Sequence, residues 1–150
     1  DYPTADQEFE VLKRIESGVL RRDIPDDAPR VELQSITHLQ ELLQKVYIDD
    51  SIKKYIVSIV TASRQPGKYI AADTAKYIQY GASPRASITF QQVAKAVALV
   101  NGRDYVIPED VKQLRHSVLR HRIILNFEAI ADQIHPEVVI DALFNAIQTP

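Results

Sequence analysis

Apolar side chains recur along most of this chain at intervals of three and four residues, the spacing that places them on one face of an α-helix. The most regular stripe lies in the middle of the chain and consists of Ile52, Tyr55, Ile56, Ile59 and Val60. Only four glycines occur in 150 residues, and strand-like alternation is scarce. The pattern predicts an all-α fold, a helical bundle of about six helices.

Capping and stop signals give approximate ends to the predicted helices. Thr4 and Gln7 form a capping-box pattern in front of the first helix, and Gly18 is a natural stop behind it. The second helix is expected to begin near Ile36, and an aspartate caps the third. The last three helices start with proline at the first helical position: Pro84, Pro108 and Pro136. Phe9, Leu12 and Ile15 follow one face of the first helix, and apolar residues expected to face inward include Leu39 and Val100.

Three stretches do not fit the helical pattern. Residues 19–34 mix prolines with charged side chains, which is typical of a polar linker. Residues 65–82 contain Tyr69, Tyr77 and Tyr80, which would partly anchor a loop or a short helix. Residues 123–127 are apolar enough for a short extended piece.

Composition excludes several classes of function. The net charge of −2 disfavours a nucleic-acid partner, because such proteins usually carry a basic excess. The absence of cysteine excludes disulfides and thiolate metal sites, and it fits a cytoplasmic location. No apolar run is long enough for a membrane span. The chain starts at Asp1 without a signal peptide and contains no methionine, so we expect a segment of a longer protein.

The sequence contains no recognisable catalytic motif. Gly67-Lys68 is the only Gly-Lys pair, but Ala62 and Tyr69 stand where a phosphate-binding loop requires glycine and a hydroxyl residue. The four histidines lack the spacing of metal ligands, and no metal site is predicted. We therefore expect the segment alone not to be catalytic.

A basic cluster follows the proline at 108. It consists of Arg115, His116, Arg120, His121 and Arg122. Cations are stabilised near a helix C-terminus by the helix dipole, and this is the favoured interpretation. A contact with phosphate or with an acidic partner is the alternative.

The most informative stretch is Gly81–Ser87, with the sequence GASPRAS. Ser83 as N-cap and Pro84 as the first helical residue make a firm helix start. Arg85 then places a cation in the first turn, which the helix dipole disfavours by about 0.3–1 kcal/mol if the side chain is exposed. The same arrangement suits an anion, because free amides and a guanidinium converge there. The alternative is that Arg85 points into water or pairs with a carboxylate.

GASPRAS resembles the second-sensor motif of the MoxR family of AAA+ ATPases. Further stretches resemble that family in the same order along the chain: residues 1–3, 55–64, 102–111, 118–122 and 127–129. One departure is Ile107, where family members often carry serine or threonine. The loss of that N-cap side chain is expected to cost about 1 kcal/mol.

The resemblance implies the C-terminal helical lid of such an ATPase. Residues 1–18 would be the terminal helix of the AAA+ core, 19–34 a linker, and 35–150 the helical lid. Arg85 would be the second-sensor arginine, a catalytic and ATP-binding residue that reaches the γ-phosphate. Gly81, Ser83 and Pro84 would position it at the nucleotide. ATP with Mg would be bound mainly by a core upstream.

The resemblance also implies partners. They would be the protein's own AAA+ core, neighbouring subunits of a hexamer and a von Willebrand factor A-domain protein, with no nucleic acid and no membrane. The function would be chaperone-like assembly or activation of protein complexes in the cytoplasm. The alternative is a helical protein-interaction adaptor that never contacts nucleotide. A helix-turn-helix DNA binder is disfavoured by the acidic charge balance.

Overall fold

The computed structural model describes residues 3–18 and 30–150. Asp1, Tyr2 and most of the predicted linker lie outside these residues. The chain divides into two compact units, Asp1–Ile36 and Thr37–Pro150. Within the described ranges, no helix is long and apolar enough to cross a membrane.

The predicted all-α fold is confirmed, with a small two-stranded sheet added to it. Helices in the described residues are α1 (Ala5–Glu16), α2 (Leu33–Lys45), α3 (Asp50–Arg64), α4 (Ala72–Ala75), α5 (Pro84–Val100), α6 (Pro108–Gln113), α7 (Arg115–Leu119), α8 (Phe127–Ala131) and α9 (Pro136–Ala146). A 3-10 turn covers Pro66–Lys68, and strands β1 (Ile78–Tyr80) and β2 (Ile124–Leu125) pair antiparallel. Over the described residues the six predicted helices become nine, because the fifth breaks at Leu114 and two short helices, α4 and α8, form in the stretches between the long ones.

The first unit contains α1, whose start was predicted correctly. The Thr4 hydroxyl accepts from the Gln7 amide at 3.4 Å, and the Gln7 side chain accepts from the Thr4 amide at 2.9 Å. Gly18 follows the helix with a left-handed φ of 74°. Phe9, Leu12 and Ile15, which the sequence places on one face of this helix, are exposed.

The core of the second unit is built on α3, α5 and α9. All five apolar residues of the α3 stripe are buried, as predicted. The Phe90 ring of α5 lies 6.2 Å from the Phe144 ring of α9, and Tyr55 of α3 meets Phe144 edge-on at 6.3 Å. These ring contacts fix the two long helices against α9.

Leu39 and Val100 are exposed, contrary to prediction. The buried residues of α5 are Ala86, Phe90, Ala94 and Ala98, spaced every four positions. Val100 follows Ala98 by two residues, about 200° around the helix, so it faces away from the core and is 86% exposed. Leu39 belongs to α2, in which no residue is buried.

The stretch 65–82 is ordered by contacts with the segment after β2. The Tyr77 hydroxyl donates to Asp132 at 2.8 Å, which confirms Tyr77 as a partial anchor. The Asn126 side chain donates to the Lys76 carbonyl at 2.7 Å, and its backbone amide donates to the Tyr77 carbonyl at 2.9 Å. Tyr80 was wrongly expected to anchor the stretch, since it is exposed.

Candidate functional site

The end of α3 contacts the residues before α5 at backbone distance. An added Cβ on Gly81 would lie 2.3 Å from the Ser63 carbonyl oxygen and 2.6 Å from the Arg64 amide nitrogen. Glycine is therefore required at this position by close approach. The buried Ser63 hydroxyl accepts from the Ala82 amide at 2.9 Å and donates to the Val60 carbonyl at 2.7 Å.

Arg64 adds a second connection at the same junction. Its Nη1 donates to the Ala82 carbonyl at 3.4 Å, and its Nη2 donates to the Thr61 hydroxyl at 3.2 Å. The junction therefore brings together two stretches of sequence, 61–64 and 81–85, that the resemblance had singled out separately.

Helix α5 starts at the predicted position, but the side-chain capping hydrogen bond expected there is absent. Ser83 has the extended backbone of an N-cap residue (φ −75°, ψ 166°), and Pro84 is the first helical residue. However, the Ser83 hydroxyl makes no capping hydrogen bond, so the cap side chain does not satisfy the first-turn amides.

The Arg85 side chain projects from this first turn. It is exposed, and its guanidinium forms no hydrogen bond or ion pair with any described residue. Its backbone carbonyl, in contrast, accepts a hydrogen bond from the Thr89 hydroxyl at 2.9 Å. The alternative to an anion contact was that Arg85 points into water or pairs with a carboxylate: the exposed side chain fits the first, and the second is not observed among the described residues.

Arg122 reaches the same turn from a distant part of the chain. Its Nη1 donates to the Val118 carbonyl at 2.7 Å, and its Nη2 donates to the Thr89 hydroxyl at 3.2 Å. Across the described part of the chain, Arg64, Arg85 and Arg122 all lack a carboxylate partner. Positive charge therefore collects around the first turn of α5, and no carboxylate among the described residues pairs with it. The sequence places Arg122 in the basic cluster and in the 118–122 stretch, but it could not predict this contact, since a contact across 33 residues leaves no local signal.

Most of the basic cluster is neutralised by α9. Arg115 and His116 contact Asp141 at 2.5 and 2.8 Å, and Arg120 contacts Glu137 at 2.5 Å. Burial tends to raise the pKa of Asp141, but the hydrogen bonds from Arg115 and His116 outweigh it and the pKa is lowered. Arg115 and Arg120 thus pair with carboxylates of α9 within the unit, and His116 shares Asp141 with Arg115.

A buried ion pair joins the segment after α5 to α6. Arg103 binds both carboxylate oxygens of Asp110 at 2.6 and 2.8 Å, and the Asp110 side chain is 2% exposed. Asp110 also accepts from the Ile107 amide at 2.9 Å, which supplies half of a capping box where Ile107 itself has no polar side chain. Burial opposes ionisation of Asp110, but the bonds from Arg103 and the Ile107 amide still lower its pKa.

The residues described here offer no protein-made metal centre. No group of three or more histidine, aspartate or glutamate side chains converges to hold a metal ion within residues 3–18 and 30–150. What the α5 turn does offer an anion is the Arg85 guanidinium at a helix N-terminus; of the neighbouring residues, Pro84 has no N–H, and the Ala86 amide donates to the Ser83 carbonyl at 2.9 Å.

Comparison with known proteins assigns this architecture to a class. Residues 70–143 match the AAA lid domain family. This part of the chain is thus a helical lid of the AAA+ class. Its similarity to named relatives shows further that it belongs to the MoxR family of AAA+ ATPases.

The relatives cover nearly the whole chain. Chaperone MoxR1 of Mycobacterium tuberculosis is 36% identical over 150 residues, 99% of this chain and 38% of the relative. The uncharacterized protein YeaC of Bacillus subtilis is 36% identical over 149 residues, 99% of this chain and 43% of the relative. The crystal structure of a proposed ATPase from Cytophaga hutchinsonii matches with a TM-score of 0.80 at 36% identity, covering 100% of this chain and 44% of that one. The chain therefore spans about two fifths of the length of these relatives.

Proposed function

We propose that this chain is the lid that closes over ATP held by a AAA+ core, with Arg85 as the residue that reaches the γ-phosphate. Residues 35–150 form the lid in this proposal, residues 1–18 end the core, and residues 19–34 link them. The observation that carries the proposal is the exposed guanidinium of Arg85, unpaired among the described residues, in the first turn of a 17-residue helix.

The electrostatics of the turn favour an anionic ligand. The N-terminus of α5 carries partial positive charge, and an arginine placed there is disfavoured by the helix dipole unless an anion compensates both. Arg64 and Arg122 increase the positive charge on either side of the turn, since both bond to neutral oxygens rather than to carboxylates. A phosphate group fits this donor set, and Arg85 can present two parallel N–H groups to it.

In this proposal, some residues of the chain position the turn and Arg85 binds the phosphate. Gly81 and Ser63 hold the turn against α3, while Ser83 and Pro84 start the helix so that Arg85 follows in its first turn. Bound ATP with Mg would supply the phosphoryl group to be transferred. Arg85 would bind and orient the γ-phosphate oxygens and stabilise the charge that develops on them. The phosphate-binding loop and Mg ligands are proposed to come from the core.

In the complete protein we expect the lid to contact its own core and neighbouring subunits of a hexamer. The coupled work would be chaperone-like assembly or activation of protein complexes in the cytoplasm, with a von Willebrand factor A-domain protein as partner. A resemblance to MoxR proteins and the name of the chaperone relative support this part of the proposal.

The test is Arg85→Ala in two contexts. In the 150-residue chain, the change should leave the melting temperature unchanged or slightly raised, within about 1 kcal/mol, because it removes a cation from the positive end of α5. In the full-length ATPase, steady-state ATP hydrolysis should fall about 100-fold, the usual cost of removing one donor that stabilises developing charge. Arg85→Lys should recover only part of the activity, because lysine keeps the charge but not the planar fork.

Lys54→Ala is the matched control. It removes one exposed cation from α3 and changes the net charge by the same amount, so hydrolysis should stay at the parent level. If Arg85→Ala hydrolyses ATP normally in the full-length protein, the nucleotide role is wrong and the adaptor alternative gains support. If the same change unfolds the isolated chain, Arg85 is a structural residue.

A further inference from the structure

We propose that Arg122 is a positioning residue for Arg85, acting through the hydroxyl of Thr89. This inference deepens the proposed function and rests on Arg85 as the residue that meets phosphate. Two hydrogen bonds in series carry it: Arg122 Nη2 to Thr89 Oγ1 at 3.2 Å, and Thr89 Oγ1 to the Arg85 carbonyl at 2.9 Å.

We call these two hydrogen bonds the relay. The chemistry of the Thr89 hydroxyl fixes the direction in which each bond is donated. A threonine hydroxyl has one proton to donate and lone pairs to accept with, whereas a guanidinium can only donate. Because Arg122 donates to Thr89, the Thr89 proton must point elsewhere, and the Arg85 carbonyl receives it. Arg122 therefore selects the orientation of the Thr89 hydroxyl that bonds the second turn of α5 to the backbone of Arg85, the proposed sensor.

The other end of the relay is anchored in the core. Arg122 Nη1 donates to the Val118 carbonyl at 2.7 Å and also contacts the His121 ring, and the Arg122 amide donates to the Leu119 carbonyl at 2.9 Å. The side chains of Val118 and Leu119 are buried. The guanidinium thus links the end of α7 to the start of α5, and a shift of α7 would be transmitted to the turn that bears Arg85.

A purely local explanation accounts for only one of the two bonds. Threonine in a helix often bonds back to the carbonyl four residues earlier, which is what Thr89 does toward Arg85. The bond from Arg122 comes from 33 residues away, and Arg122 makes no ion pair within the described residues. Arg115 and Arg120, in the same basic cluster, pair with carboxylates of α9 instead. Arg122 is therefore distinguished from its neighbours by where its guanidinium is directed.

The structural arm of the test uses Thr89→Val in the 150-residue chain, with Thr89→Ser as the matched control. Valine keeps the shape but cannot take part in either bond, whereas serine keeps the hydroxyl. Amide hydrogen exchange at residues 86–90 should accelerate about fivefold in Thr89→Val, the factor expected for loss of one hydrogen bond, and stay near the parent rate in Thr89→Ser. Exchange in α9 should not change. Equal exchange at residues 86–90 in all three proteins would overturn the proposal.

The functional arm measures ATP hydrolysis by the full-length ATPase. Thr89→Val and Arg122→Gln should each lower kcat about tenfold while KM for ATP stays within about twofold, since the interaction made in the transition state is the one disturbed. Thr89→Ser should retain most of kcat. Loss of folded protein alone would also lower the apparent kcat at unchanged KM, so kcat is calculated per folded enzyme, with the folded fraction measured by circular dichroism.

A double variant separates this inference from the proposed function. In an Arg85→Ala background, Thr89→Val should cause no further loss of kcat, because both changes disable the same residue. An additional tenfold loss would show that Thr89 and Arg122 act independently of Arg85 and would overturn the relay. Normal hydrolysis by Arg85→Ala alone would overturn the proposed function instead, and the exchange rates would still decide whether the Thr89 hydroxyl holds the turn.

Discussion

The junction between α3 and α5 can be tested with a single methyl group. In Gly81→Ala, the new Cβ would lie 2.3 Å from the Ser63 carbonyl oxygen and 2.4 Å from the Ser63 carbonyl carbon. Ordinary contacts begin near 3.4 Å, so the two backbones must separate by about 1 Å. Both partners are main chain, and no side-chain rotation can relieve the overlap.

The magnitude follows from what the separation would break. Overpacking of this kind costs about 1–3 kcal/mol, and movement of this size also disrupts the 2.9 Å bond from the Ala82 amide to Ser63, which adds about 1 kcal/mol. The free energy of unfolding should fall by about 2–4 kcal/mol. For a chain of this length that corresponds to a decrease in Tm of about 10 °C.

Two other glycines supply matched controls. Gly102 has a φ of 71° but no atom within 4 Å of the position that a Cβ would occupy, so Gly102→Ala should cost only the left-handed strain, about 1 kcal/mol. Gly67 has neither feature, and Gly67→Ala should be neutral or slightly stabilising, by up to about 1 kcal/mol. Differential scanning calorimetry should therefore order the three variants with Gly81→Ala lowest in Tm. A Gly81→Ala protein that melts with Gly67→Ala would refute the close-approach argument.

Two further predictions concern charge and catalysis. Because the pKa of Asp110 is lowered in the folded state, its contribution to stability is present above its ordinary value near 3.8 and is lost as the pH falls below that value. Asp110→Asn should lower stability by about 3 kcal/mol at pH 7, with the difference in Tm between variant and parent shrinking as the pH falls below 3.8, as followed by circular dichroism. The 150-residue chain alone should release phosphate from ATP only at background rate in a colorimetric assay, and turnover that copurifies with it would contradict the lid assignment.

Local signals in the sequence were sufficient for most helix starts and for the main core stripe. Pro84, Pro108 and Pro136 each stand at a first helical position, and the α3 stripe is buried throughout. These features depend on residues within one or two turns of each other. The predicted role of Arg85 also began from such a local anomaly, a cation in the first turn of a helix.

What the sequence could not supply were the contacts between distant segments. Helical spacing identified an apolar face on α2 but not whether a neighbour covers it, and Leu39 is exposed. Ser83 stands at the N-cap, yet a residue preference cannot show that its hydroxyl is unused there. The bonds from Ser63 to Ala82 and from Arg122 to Thr89 join residues far apart in sequence, and both depend on how α3 and α7 pack on α5.

These distant contacts explain what two stretches without a catalytic group do in the structure. Residues 61–64 fix the backbone just before α5, and residues 118–122 reach the Thr89 hydroxyl one turn later. The turn between them is therefore held from both sides, while the Arg85 guanidinium makes no bond among the described residues. In the proposed function Arg85 must meet a ligand bound on another domain, which requires a fixed backbone and a guanidinium free of other bonds; its turn is held, and its guanidinium makes no bond among the described residues. If this reasoning holds, substitutions at Ser63 and Thr89 should affect hydrolysis through Arg85, although neither residue is proposed to contact nucleotide.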